Sequence, residues 1–139
     1  MINFFIEDVD FEIEERIYQD WLTRCVGSEG YELGELNYIL CSDAYLLELN
    51  QKFLDHDTFT DVISFDYSVG RCINGDIFIS MERVDENATV YSDCLADELK
   101  RVMVHGILHF MGYKDKEEEE LLMMRNKEDA LLSLFHVEQ

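Results

Sequence analysis

The sequence predicts an α+β domain built on one mixed β-sheet, and two observations support this. Strand-like runs dominate the first part of the chain and helical runs the last part, an order typical of α+β domains. A chain of 139 residues, 47% hydrophobic and 30% charged, has the size and balance of one folded domain with a real core. No repeat, linker or composition break divides the chain, so we treat residues 1–139 as a single domain.

The first half of the chain alternates between strand and helix patterns. Leu36, Tyr38 and Leu40 recur at every second position, which is typical of a strand. Gly27 ends an amphipathic helix pattern, and Ser42 is a suitable N-cap for the next helix. The predicted elements are a strand over residues 2–9, a helix over 10–27, a strand over 31–42 and a helix over 43–54.

Two short runs rich in β-branched and aromatic residues come next. Residues 61–67 (DVISFDY) and 74–84 (NGDIFISMERV) are both predicted to be strands. Asn74-Gly75 is a strong turn signal and precedes the second run. We therefore expect a hairpin, or two neighbouring strands joined by a loop around Gly70.

The last third of the chain is predicted to be helical. A long helix over residues 93–112 is apolar over most of its circumference, as a helix at the centre of a domain is. Gly112 is expected to end it as the C′ residue. A final helix, over about residues 116–135, begins with acidic residues, which the helix dipole favours at that end.

Composition limits the function and the compartment. The net charge is −20, and 11 basic residues against 31 acidic ones argue against a free-standing nucleic-acid binder. The four cysteines form no CxxC pair and are expected to be free thiols in a reducing compartment. No signal peptide and no membrane-length apolar run are evident, so we expect a cytoplasmic protein without membrane contact.

Residues 105–115 (HGILHFMGYKD) have the features of a metal site. His105 and His109 are four residues apart and project from one helix face. Gly112 then lets the chain turn back, and Asp115 is the residue of that turn that can bind a metal. Two imidazoles and one carboxylate leave an open position, which is typical of catalytic zinc. The alternative is that both histidines are merely polar residues on a packed helix.

The residue after His105 weighs against peptide hydrolysis. Metalloproteases of the H-E-x-x-H type place their glutamate base there, and this chain has Gly106. A zinc ion can still lower the pKa of its bound water without that base. A metallopeptidase or another zinc hydrolase therefore stays open only as a minor alternative.

Three segments resemble the YbeY family of bacterial metal-dependent endoribonucleases of ribosomal RNA maturation. HGILHFMGYKD resembles the family signature H-G-x-L-H-x-x-G-Y-D-H, and LNQKFLDHDTFTDVISFDY and NGDIFIS resemble two further motifs in the same order. The resemblance implies a four-stranded mixed sheet packed with helices. It also implies one zinc ion in a cleft between a central metal-binding helix and an edge strand. The implied activity is single-strand RNA cleavage in ribosomal RNA maturation and ribosome quality control.

The chain departs from the family pattern at two positions. The third family ligand is a histidine where this chain has Asp115, and a carboxylate makes the site less positive, so Mn²⁺ is an alternative metal. The family arginine that follows the L-N-x-x-[YF] motif is Leu54 here, and neither Lys52 nor His56 offers a guanidinium fork. Leu54 favours the alternative of a ribosome-assembly factor with a structural metal site and weak or no nuclease activity.

Several further residues are candidates for substrate contacts. Asp61 and Ser64 are candidates to position the water or the RNA, whereas Asp76 is expected to be structural. Four of the 11 basic residues bracket the metal motif, either as a phosphate-binding rim or as an ordinary solvated surface. We expect the acidic remainder to dock on the small ribosomal subunit or its basic proteins. The four basic candidates are Lys100, Arg101, Lys114 and Lys116.

Overall fold

Four strands form one mixed sheet, which confirms the predicted α+β class. The computed structural model describes residues 1–54, 61–90 and 94–136. The strands are β1 (Ile2–Glu7), β2 (Glu32–Cys41), β3 (Val62–Asp66) and β4 (Cys72–Ser80). Their order is β1-β2-β4-β3, with β1, β2 and β4 parallel and β3 antiparallel to β4 at one edge.

The helices cover both faces of this sheet. They are α1 (Glu15–Ser28), α2 (Asp43–Leu54), α3 (Met81–Val90), α4 (Leu95–Phe110) and α5 (Glu118–Ser133), followed by a 3-10 turn, Leu134–His136. Leu36, Tyr38 and Leu40 of β2 face the larger core, with α1, α4 and α5. Ile39 and Cys41 point the other way, into a smaller cluster with α2, because successive side chains of a strand alternate between faces.

Two buried polar side chains connect the helices to the rest of the larger core. The Trp21 indole donates to the Leu131 carbonyl at 2.9 Å, which joins α1 to α5. The Tyr38 hydroxyl donates to the Met103 carbonyl at 2.9 Å, which joins β2 to α4. Both donors are fully buried, so each satisfied hydrogen bond avoids a penalty of about 1–3 kcal/mol. Helix α4 is thereby held against the sheet.

Helix α3 was not predicted, because the strand pattern was expected to continue to residue 84. The strand instead ends at Ser80, whose hydroxyl accepts a hydrogen bond from the Arg83 backbone N–H at 3.2 Å, as an N-cap does. Met81, Val84 and Ala88 then bury one helical stripe. The helical spacing of these three residues was present in the sequence.

The turn predicted at Asn74-Gly75 is also wrong, since both residues lie inside β4. The chain turns at Gly70, where φ is +58°, which is the alternative loop considered above. A Cβ atom on Gly75 would lie 2.5 Å from the Phe110 ring and 2.6 Å from the Phe65 carbonyl oxygen. Glycine is therefore required here for close packing and not for a turn.

Other local predictions are confirmed. The Ser42 hydroxyl accepts a hydrogen bond from the Tyr45 N–H at 3.0 Å and caps α2. The four cysteines are free, and burial raises the pKa of Cys25 and of Cys41 to about 12. Within the described ranges, no helix combines the length and the apolar character that a bilayer-spanning segment needs.

Candidate metal centre

The last turns of α4 present the two histidines. His105 and His109 lie on the same side of the helix, and their Nε2 atoms are 2.9 Å apart. The opposite side of α4 is buried in the larger core. Both imidazoles are half-buried, so the helix is anchored by its apolar side while the rings remain accessible.

The chain reverses after α4 and brings a carboxylate to the histidines. Gly112 has φ +97°, and its N–H donates to the His109 carbonyl at 3.0 Å. The next N–H, of Tyr113, donates to the Leu108 carbonyl at 3.0 Å. This reversal places Asp115 Oδ2 3.2 Å from Nε2 of both His105 and His109. The predicted C′ role of Gly112 is confirmed.

The loop that carries Asp115 is tied to the rest of the domain. The Tyr113 hydroxyl donates to Glu29 Oε1 at 2.7 Å, and the Lys127 ammonium pairs with Glu29 Oε2 at 3.2 Å. The Tyr31 hydroxyl donates to the Met111 carbonyl at 3.0 Å. The segment between α1 and β2, together with Lys127 of α5, thus holds both sides of the reversal.

The three ligand atoms fit one small metal ion. Nε2 of His105, Nε2 of His109 and Oδ2 of Asp115 form a triangle with sides of 2.9, 3.2 and 3.2 Å. Metal–ligand bonds of about 2.0–2.1 Å in a tetrahedral zinc site separate neighbouring ligand atoms by about 3.3 Å. The triangle is close to that size, and its three donors are borderline-soft and hard atoms that zinc accepts.

A buried carboxylate lies behind the first histidine. Glu128 Oε2 is 2.7 Å from His105 Nδ1, and Glu128 Oε1 accepts from the Arg101 guanidinium at 2.8 Å. The hydrogen bond to Glu128 raises the pKa of His105 against the opposing effect of burial, and the charge of Asp115 adds to the rise. Burial raises the pKa of Glu128, but the hydrogen bonds from His105 and Arg101 outweigh it and leave that pKa below its ordinary value.

A cavity of about 530 Å³ opens beside His105. It lies among α3, α4, α5 and the start of the edge strand β3, and both acidic and basic side chains reach it. It is large enough to admit a small part of a polymer, with His105 in its wall. The polar and charged lining residues are Asp61, Asn87, Glu98, Arg101, His105, Arg125 and Glu128.

Comparison with known proteins assigns this arrangement to a family. The family model described as Endoribonuclease YbeY matches residues 3–136. The chain belongs to the YbeY family. The matched region includes the metal centre and every element described above except the first residue of β1.

Individual relatives agree with this assignment. The chain is 57% identical to the Endoribonuclease YbeY of Flavobacterium psychrophilum, covering 100% of this chain and 99% of that protein. It is 51% identical to the protein of the same name from Flavobacterium johnsoniae, covering both chains completely. The solution structure of TM1509 from Thermotoga maritima superposes with a TM-score of 0.67 at 27% identity, covering 95% of this chain and 88% of that one. The resemblance identified in the sequence is thereby confirmed.

The other site candidates differ in whether they reach the cavity beside the ligand triangle. Asp61 lines the cavity with His105, whereas Ser64 is exposed on the edge strand outside that lining. Asp76 Oδ1 accepts from the Asn37 amide at 2.9 Å, in keeping with a structural role. None of these positions is a ligand of the triangle.

The four basic candidates do not form one continuous rim. The Lys100 ammonium lies 3.8 Å from the centre of the Phe135 ring and pairs with Asp97 at 3.8 Å. Arg101 is paired with Glu128 and reaches the cavity only as part of that pair. Lys114 and Lys116 are exposed on the loop that carries Asp115. His56 and the side chain of Leu54 lie outside the described residues.

Two residues of the site were missed from the sequence, and both lie on α5. Glu128 occupies the buried stripe of that helix between Met124 and Leu131, so a charge inside an apolar stripe was the signal available. Arg125 is exposed and lines the cavity one helical turn away. No motif marked Arg125, because its place in the cavity depends on how α5 packs against α4.

Proposed function

We propose that this YbeY chain is a zinc-dependent endoribonuclease that cleaves single-stranded RNA in ribosomal RNA maturation and ribosome quality control. The observation that carries the proposal is the ligand triangle of His105, His109 and Asp115 beside an open cavity, in a chain whose relatives are named endoribonucleases. Two imidazoles and a carboxylate leave a position for a further ligand. Mn²⁺ is the alternative metal, because an anionic third ligand suits a harder ion.

The chemistry of the site is divided between the metal and the side chains of the cavity. His105, His109 and Asp115 would hold the zinc ion, which would supply Lewis-acid chemistry to a phosphoryl oxygen and to a water molecule. In this proposal Asp61 orients the attacking water by hydrogen bonding from the wall of the cavity. Ser64, further along β3, contacts the RNA that enters past the edge strand.

Arg125 is our candidate for binding the phosphate of the substrate. It lines the same cavity as His105, and no carboxylate of the described residues pairs with it, whereas Arg101 is paired with Glu128. A guanidinium binds a phosphate through two parallel hydrogen bonds. Arg125 thereby supplies the fork that Leu54 does not. Lys114 and Lys116, which are exposed on the Asp115 loop, are further candidates for phosphate contacts.

The strongly acidic surface indicates how the enzyme reaches its substrate. A net charge of −20 repels free RNA, so affinity must come from elsewhere. We propose docking on basic proteins of the small ribosomal subunit, which places the activity in the cytoplasm, where ribosomes are. Because the attraction is electrostatic, binding to the subunit is expected to weaken as salt rises.

The metal site is tested by elemental analysis of purified protein. We expect one zinc ion per wild-type chain and loss of that zinc in both His105→Ala and Asp115→Ala, because each substitution removes one of three ligands. Asp76→Ala, a carboxylate outside the triangle, is the control and should retain the metal. Full zinc in Asp115→Ala would mean that the third ligand lies elsewhere, and a metal-free wild type would contradict the proposed zinc-dependent nuclease.

The phosphate role of Arg125 is tested by RNA binding. Arg125→Ala is expected to weaken binding of a single-stranded RNA oligonucleotide by about tenfold or more, since a hydrogen bond to a charged group contributes about 1.5–3 kcal/mol. Its zinc content should equal that of the wild type. Lys100→Ala is the matched control, because Lys100 faces Phe135 and not the cavity. An equal loss of RNA affinity in both variants would mean that Arg125 acts only through the overall charge of the protein.

A further inference from the structure

We propose that Glu128 is a positioning residue that fixes His105 in the orientation and tautomer that bind the metal. The inference rests on the metal site proposed above. It goes beyond the three ligands, because Glu128 lies on a different helix and touches only the far side of one of them. It also gives Arg101 a role that is separate from RNA binding.

The contact between Glu128 and His105 determines which ring nitrogen is free. Oε2 of Glu128 lies 2.7 Å from His105 Nδ1, a distance typical of a charge-assisted hydrogen bond. An ionised carboxylate only accepts hydrogen bonds, so the proton of this bond belongs to Nδ1. The neutral ring then has its lone pair on Nε2, the atom that faces His109 and Asp115.

Arg101 orients the carboxylate and balances its charge. Glu128 is 6% exposed, and a buried carboxylate without a partner would be costly. The Arg101 guanidinium donates to Oε1 at 2.8 Å, which leaves Oε2 for His105. Arg101 also pairs with the exposed Asp129, at the longer distance of 3.5 Å. Asp129, unlike Glu128, makes no hydrogen bond to His105 in the described part of the chain. Arg101, Glu128 and His105 therefore form one chain of hydrogen bonds that ends at the metal position.

The place of Glu128 in α5 argues against a role in packing. Met124 and Leu131 flank it in the buried stripe, where an apolar residue would pack without the cost of burying a charge. Tying α5 to α4 would need only the ion pair between Glu128 and Arg101. Oε2 of Glu128 contacts His105 and is not needed for that ion pair. Histidine ligands of metals generally donate their other N–H to a carboxylate or carbonyl in this way.

Metal affinity is the first test, measured by competition between the metal-free protein and a chromophoric zinc chelator. Loss of such a partner typically weakens metal binding about 10–100-fold, so we expect that range for Glu128→Ala and roughly the lower limit for Glu128→Gln. Asp129→Ala is the matched control, because it removes a carboxylate that contacts Arg101 but not His105. Binding within about threefold of this control, in whichever Glu128 variant folds, would overturn the proposal.

The tautomer of His105 is the second test, and it distinguishes positioning from a purely structural role. Correlation of imidazole ¹H and ¹⁵N signals in the metal-free protein, at alkaline pH, should show the His105 proton on Nδ1 in the wild type and in Asp129→Ala. In Glu128→Ala the proton should move in part to Nε2. A wild-type proton on Nε2 would overturn the inference. Absence of zinc binding by the wild type would instead contradict the proposed function itself, so the two failures are distinguishable.

Discussion

Replacing His109 by alanine is expected to lower the rate of RNA cleavage roughly a thousandfold or more. His109 Nε2 is 2.9 Å from His105 Nε2 and 3.2 Å from Asp115 Oδ2, so its loss opens one corner of the ligand triangle. Metal catalysis is worth several kcal/mol, and each 1.4 kcal/mol or so corresponds to a factor of ten in rate. The measurement is cleavage of a labelled single-stranded RNA, with the zinc content of the same sample.

The control for this prediction is another histidine-to-alanine change. The backbone of His136 belongs to the final 3-10 turn, and His136 is not one of the three proposed ligands, so His136→Ala should cleave RNA at the wild-type rate. Treating the wild type with a chelator should reproduce the loss seen in His109→Ala, and added zinc should restore cleavage only in the wild type. If a zinc-free His109→Ala protein cleaves RNA at the wild-type rate, cleavage does not depend on the metal and the proposed mechanism is wrong.

The ligand triangle could be predicted from the sequence because local geometry produces it. Spacing of four residues places His105 and His109 on one helix face, and Gly112 ends that helix, so that Asp115 returns to it. These relations need no knowledge of the rest of the fold. The same holds for the Ser42 cap and for most strands, where side-chain alternation alone predicts the element.

The support of the site could not be predicted in this way, because it depends on contacts between distant segments. Arg101 and Glu128 are 27 residues apart, and their pairing arises only when α5 packs against α4. The sequence alone indicates only that Arg101 is one cation in a basic cluster. A charged residue near a motif is a candidate for binding a ligand. Whether it instead pairs with another residue of the protein depends on how the helices pack.

Helix α3 and Gly75 illustrate a second limit, at the level of the fold. No proline or glycine separates residues 81–84 from the apolar residues that end β4. The strand pattern in the sequence therefore continues past the true end of the strand at Ser80. The sequence predicts a turn at Asn74-Gly75, because glycine after asparagine is common in turns. In the structure the absence of a side chain at Gly75 leaves space for the Phe110 ring. This contact joins distant segments, so local sequence rules cannot predict it.

Replacing Gly75 by alanine is therefore expected to destabilise the protein by about 3 kcal/mol, at the upper end of typical overpacking costs. The added methyl would meet the Phe65 carbonyl oxygen at 2.6 Å, and a backbone atom of the neighbouring strand β3 cannot move aside alone. It would also meet the Phe110 ring at 2.5 Å, at the end of the metal-binding helix. The measurement is urea unfolding, followed by the fluorescence of Trp21.

Gly106→Ala is the matched comparison, because it adds the same methyl on the facing helix. There the close atom is Ile77 Cδ1 at 2.7 Å, the far end of a flexible side chain, and alanine gains about 0.5–1 kcal/mol over glycine inside a helix. These two effects oppose each other, so Gly106→Ala should change the free energy of unfolding by less than about 1 kcal/mol. If Gly75→Ala is no less stable than Gly106→Ala, the close approach of α4 to β4 does not depend on the glycine of the strand. If it is less stable by the expected amount, the packing of the metal-binding helix against the sheet depends in part on a residue of β4 that binds no ligand.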